Sequence, residues 1–243
     1  PVWARYIIQQ KYDDEEYYMQ IDSHSRLING WDTILKNMLN LLPEPSILTQ
    51  YPPEYKLDGT YDSNIIRSGL YIQGFSPVDG FTRIQSDYTT NKRYYPYTSK
   101  AWSGCFSFSK GNIVNDAPYD PNLKYLFFGE EMDITLRLFT RRYYFYSPNI
   151  TVIYTLFDRS YRRTYWQDIN KELREDGEKK SREYLKDRIY GGIMGEYYCD
   201  EIFELGNKRS VRDYEKFADI EDIVRHKLCN HAKAYRRNTK KIL

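Results

Sequence analysis

The chain has 243 residues, 41% hydrophobic and 17% aromatic, which is enough apolar surface for one sizeable α/β domain and too much for a disordered chain. Lys and Arg number 36 against 34 Asp and Glu, a balance that excludes the charge-driven phosphate binding of a dedicated nucleic-acid protein. Cys105, Cys199 and Cys229 are too few and too scattered for a disulfide framework or a zinc site, and no apolar run approaches the ~20 residues that a membrane-spanning helix needs.

Residues 3–12 have a helical pattern, with Trp3, Ile7 and Ile8 on one side. The chain enters this helix without a leader, which points to a piece of a longer polypeptide. With the sparse cysteines it also points to the cytoplasm, with no membrane and no nucleic-acid partner. The acidic 13–16 stretch is expected as a turn, and Tyr17–Ile21 as a strand ending at Asp22. Trp31, Ile34, Leu35, Met38, Leu39 and Leu42 recur at helical spacing, so 31–42 is expected to be a helix packed on a sheet. A buried strand at 46–51 follows, stopped by Pro52 and Pro53. Residues 54–100 form an irregular insertion with short strands at 70–75 and 81–85, of the kind that sits at a functional edge. Next come a strand over 101–111, a helix over 129–143, an aromatic strand at 143–146 and a strand at 150–157. Beyond a boundary near residue 160 the composition turns to charged helix, at 166–192 and again at 220–237. The expected division is therefore 1–160 as core and 161–243 as a helical extension packed on it. Gly191 and Gly192 mark a helix stop, the basic 231–243 stretch a solvated tail, and His226 and His231, five apart on a helix, do not share a ligand face.

Two clusters carry chemistry. Asp22 and His24 lie two residues apart where a strand ends, so both side chains project to one side. A carboxylate and an imidazole held that way can share Mn2+ or Mg2+, which would neutralise a diphosphate at the carboxyl edge of an open sheet. The alternative is a plain Asx turn leading into the helix. Gly129, Glu130, Glu131 and Asp133 open a helix after an apolar run, placed either to orient sugar hydroxyls and an acceptor or simply to complement the helix dipole.

Several segments occur together in one order: WAR at 3–5, QIDSH at 20–24, GWD at 30–32, YPP at 51–53, FSF at 106–108, DPNLKYLFFGEE at 120–131, RLFTRRYYFYSP at 137–148 and GNKRSVRDYEKFADI at 206–220. In this the chain resembles the GlcNAc-transferase family typified by the Skp1 hydroxyproline N-acetylglucosaminyltransferases. The resemblance implies a GT-A fold, a Rossmann-like mixed sheet that binds a UDP-sugar beside a metal. It implies transfer of GlcNAc, with retention at the anomeric carbon, to a protein hydroxyl such as hydroxyproline. Carried over by position, Asp22 and His24 match the metal motif, with Asp22 and Ser23 also beside the donor, and Arg5 matches an Arg near the nucleotide. Trp102, Ser103 and Gly104 fall where the family has a sugar-facing wall, and Glu130 and Glu131 match its catalytic acidic pair, with Asp133 a turn away. Relatives carry a His ligand followed by an aromatic residue and an Arg, of which this chain keeps Phe157 and Arg159 but has Thr155 at the His position. They also open with a uracil-binding strand ahead of the WAR segment, so that either this strand lies elsewhere in a longer polypeptide or this chain alone holds UDP weakly. From another functional class, the alternative is a non-catalytic sugar-binding or interaction module with a degraded metal site.

Overall fold

A computed structural model describes residues 1–91, 93–191 and 201–229; Gly192, Cys199, His231 and the basic tail lie outside the described residues. Helix α1 (Val2–Gln9) turns Val2 and Gln9 inward and leaves Trp3, Ile7 and Ile8, the apolar side seen in the sequence, exposed. Its polar side is held instead: the Gln9 side chain accepts a hydrogen bond from Tyr119 N–H at 2.7 Å. Strand β1 (Tyr17–Ile21) is followed by the turn Asp22-Ser23-His24, closed by Ser25 N–H donating to Asp22 O at 3.2 Å, and by β2 (Ser25–Leu27). Gly30, at φ 72°, starts α2 (Trp31–Asn40), and β3 (Ser46–Thr49) follows. The insertion supplies β4 (Ile66–Arg67), β5 (Tyr71–Phe75), β6 (Thr82–Gln85), β7 (Tyr88–Thr89) and β8 (Tyr97–Thr98). The core resumes with β9 (Phe106–Lys110), α3 (Ile113–Asp116), α4 (Glu130–Thr140), β10 (Tyr144–Ser147) and β11 (Ile153–Thr155).

Five strands form a mixed sheet in the order β1-β9-β3-β10-β8, with β3 and β10 parallel and the other neighbours antiparallel. Side-chain alternation gives each face its own cover. Leu48, Phe106 and Phe108 bury against Leu35, Met38 and Leu39 of α2, while Ile47 and Phe145 join the cluster that holds Met132, Leu136 and Phe139 of α4. The result is helix on sheet on helix, the mixed α/β core that a GT-A fold requires. At Asp22 the chain leaves this sheet: β1 pairs with β9, but β2 pairs antiparallel with β11, Ser25 opposite Thr155. The half-apolar run stops at Asp22 because the backbone changes partners there.

After residue 160 come α5 (Tyr165–Asp168), α6 (Lys171–Lys186) running into a π turn at Asp187–Gly191, a 3-10 turn at Glu201–Phe203, α7 (Val211–Ala218), β12 (Ile220–Asp222) and β13 (Lys227–Leu228). The helix expected from residue 220 is a β-hairpin over its described part. Asp219 and His226 sit at φ 58° and 56°, which no helix tolerates, and Ile220, Ile223 and Leu228 bury their side chains in the main core. Leu185, Ile189, Tyr214 and Ala218 share that core with Phe81 and Met132, so residues on both sides of position 160 pack together.

Candidate functional site

A cleft of about 450 Å3 opens between α1, the β1–β2 turn, β6 and the start of α4, with Arg5, Asp22, Tyr51, Arg83, Gly104, Glu130, Glu131 and Phe157 among its walls. Arg5 is its hub. The guanidinium donates to Glu130 Oε1, to Asp22 Oδ1 at 3.2 Å and to Gly104 O at 3.0 Å, so one planar fork fixes three separate segments. A Cβ at position 104 would lie 2.8 Å from Arg5 Nη1 and 3.2 Å from Glu130 Oε1, so any larger residue there would displace the Arg5–Glu130 pair. Glu130 also accepts from Tyr119 O–H at 2.6 Å, and the same hydroxyl oxygen lies 2.8 Å from the Gln20 side-chain amide.

Glu131 faces a different set of donors. Its oxygens accept from Tyr51 O–H at 3.0 Å and Gly104 N–H at 3.2 Å. Burial and the neighbouring Glu130 carboxylate nevertheless push its pKa up to about 7, against the pull of those hydrogen bonds. Burial, with Asp22 and Glu131 close by, likewise pushes the Cys105 thiol up, so it is an unreactive wall group. Among the described residues a second, larger cavity of about 660 Å3 adjoins the cleft through Pro1 and Phe127. Its walls include Trp3, Tyr125, Tyr165 and Trp166 but only one charged side chain, Lys124, so the chemistry belongs to the smaller cleft.

Of the residues singled out in the sequence, Arg5, Asp22, Gly104, Glu130 and Glu131 converge on the cleft. His24 stands just behind Asp22, Nε2 to Oδ2 at 3.8 Å, and Ser23 is exposed at the tip of the turn. Trp102 and Ser103 do not form a wall: both are buried behind Gly104, where Ser103 N–H donates to Thr49 Oγ1 at 2.9 Å. Asp133 points away from the cleft into a buried ion network, 2.8 Å from Arg188 and 3.5 Å from Arg137. The Asp133–Arg137 spacing of i, i+4 was the signal for that structural role. Sequence reasoning missed Tyr119, Gln20, Arg67 and Arg83. The two arginines come from the irregular insertion, where nothing in the spacing marks them.

A family model for glycosyltransferases of the GlcNAc type matches residues 1–224. The chain belongs to this GlcNAc glycosyltransferase family. No curated protein matches the chain. The solved structure of GalNAc-T7 with UDP, GalNAc and Mn2+ is similar over 88% of this chain at 14% identity, with a TM-score of 0.49. The match covers 40% of that chain, so this chain spans well under half its length.

Residue spacing at the strand end and the family resemblance both led to the expectation of a cation held by Asp22 and His24. The donor set does not fit one. Asp22 is ion-paired to Arg5, and Arg159 Nη2 lies 2.7 Å from His24 Nε2. A guanidinium can only donate, so Nε2 uses its lone pair on Arg159 and has none left for a metal. The third position is Thr155, whose buried Oγ1 lacks a hydrogen-bond partner and is a neutral, weak ligand. Burial first, and Arg159 second, lower the His24 pKa, which matches a neutral imidazole in a field already positive. Among the described residues no group of three or more His, Cys, Asp and Glu side chains is placed to hold a metal.

Proposed function

We propose that the chain transfers a sugar, GlcNAc by family resemblance, from a UDP-sugar to a protein hydroxyl such as that of hydroxyproline. The observation that carries this is the convergence of Arg5, Asp22, Gly104, Glu130 and Glu131 on one cleft. Arg5 and Arg83 bring fixed positive charge to an anionic donor, and Phe128, under the Arg83 guanidinium at 4.1 Å, offers a ring face to a sugar or base. The Arg5–Glu130–Tyr119 chain of hydrogen bonds holds the cationic fork rigid. Glu131, with a pKa of about 7, is the group that exchanges a proton at neutral pH.

In this reaction the bond between the sugar C1 and the diphosphate oxygen breaks, and its electron pair stays on UDP. The acceptor oxygen bonds C1, and its proton passes to Glu131. The adjoining aromatic cavity gives the acceptor a place to lie, because a proline or sugar ring packs well on Tyr165 and Trp166. No step is assigned to Mn2+ or Mg2+, since the donor set falls short of one. UDP-GlcNAc hydrolysis and transfer to a hydroxyproline peptide test the proposal in wild type and Arg5→Ala. Activity that falls at least about a hundredfold in the variant supports it. Equal activity in both, or UDP binding without any turnover by wild type, overturns it, and the second outcome favours the non-catalytic module.

A further inference from the structure

We infer that Arg159 stands in for the divalent cation, so that the chain neutralises the donor's diphosphate with a guanidinium and binds UDP without a metal. This rests on the cleft being the donor site, as proposed above.

Three observations carry it. First, Arg159 is fixed as a ligand would be: Nη2 sits 2.7 Å from His24 Nε2, and Nη1 donates to Leu156 O. The imidazole therefore serves to position a cation made of protein. Second, Arg159 follows Phe157, which lines the cleft beside Asp22, so the segment that carries the guanidinium runs along the cleft's edge. The same segment is anchored to the β1–β2 turn by Leu156 N–H donating to His24 O at 3.0 Å. Third, Thr155 is opposite Ser25 in the β2–β11 ladder, and both hydroxyls are buried without partners. That corner holds neutral oxygens, so a dication brought there would meet the Asp22 carboxylate, already ion-paired to Arg5, and the Arg159 guanidinium beside it, while Arg5 itself is matched by Glu130. A planar guanidinium matches two phosphate oxygens at once, and its charge persists at any working pH.

In the transfer step Arg159 gains and loses no bond. It stabilises the electron pair that UDP keeps when the C1–O bond breaks.

Isothermal titration of the 243-residue chain with UDP tests the inference, with EDTA in one arm and Mn2+ in the other. It is run on wild type, Arg159→Met and Arg159→Lys, with thermal melts to verify folding. The expected result is a wild-type affinity equal in both arms. Arg159→Met should bind about ten- to a hundredfold more weakly in both, the loss of a charge-assisted hydrogen bond, and Arg159→Lys should recover part of it. Wild-type binding that requires Mn2+, or Arg159→Met binding as wild type does, overturns the inference and leaves the donor site standing. Absence of UDP binding by folded wild type in both arms overturns the donor site itself.

Discussion

At the scale of single residues, the cleft contrasts two adjacent carboxylates. Glu130 is tied to a guanidinium, whereas Glu131 has only neutral donors and the charge of its neighbour. The consequence is visible in stability as well as in chemistry. The folded-state pKa of about 7 lies above the ordinary glutamate value of 4.5, so between those pH values the folded chain holds a proton that the unfolded chain gives up. Stability therefore falls as pH rises through this window, by roughly 3 kcal/mol at most, and the penalty is complete above it. Glu131→Gln removes that titration. Urea unfolding of both proteins at about pH 5 and about pH 8 should show wild type losing stability relative to the variant at the higher pH. Parallel pH profiles would refute the raised pKa. Sequence alone could name both acids, but not tell them apart, because the difference lies in Arg5, Tyr51 and Tyr119, which come from distant segments.

At the scale of elements, α6 contains Gly177 in mid-helix, where glycine costs about 1 kcal/mol relative to alanine. Here it is needed: a Cβ would lie 2.3 Å from the Tyr125 ring, which packs across the helix. Gly177→Ala should therefore destabilise the chain, by about 1 kcal/mol or more, instead of stabilising it. In a Tyr125→Ala background the same substitution should become neutral or favourable, and thermal melts of the four proteins would check the reversal of sign. Such tertiary requirements explain where the sequence was legible. Strand β1, the α2 repeat, β5, β6 and the start of α4 were readable because periodicity and turn residues act locally. The Ile220–Leu228 hairpin was not, because Ile220 and Ile223 at spacing three look helical, while the deciding factor is Asp219 in the left-handed region. In helix α1, Trp3, Ile7 and Ile8 face outward because Arg5 and Gln9 are claimed by the cleft and by Tyr119.

At the scale of the whole molecule, the change of composition near residue 160 suggested a helical extension packed on the core, and a buried ion network runs across that position. Arg188, on the π turn after α6, is 3% exposed and pairs with Asp120, fully buried before α4, and with Asp133 on α4 at 2.8 Å. Arg137 completes the network, donating to Ile202 O at 2.8 Å and so reaching the 3-10 turn as well. Burying such charges gains little by itself, but removing Arg188 strips buried Asp120 of its ion-pair partner and leaves Asp133 with Arg137 alone. Arg188→Leu should thus lower stability by about 3 kcal/mol or more. Because Leu185 and Ile189 share one apolar cluster with Phe81 and Met132, the damage should spread through the molecule as a single transition. Far-UV circular dichroism, to which α6 contributes the longest helix, and fluorescence of Trp102, in a chain whose other tryptophans are changed to Phe, should give coincident urea curves. Both midpoints should shift together in Arg188→Leu. Two separated transitions, with only the dichroism midpoint moved, would mean that residues beyond 160 fold as a unit of their own and that the buried network is a contact between domains.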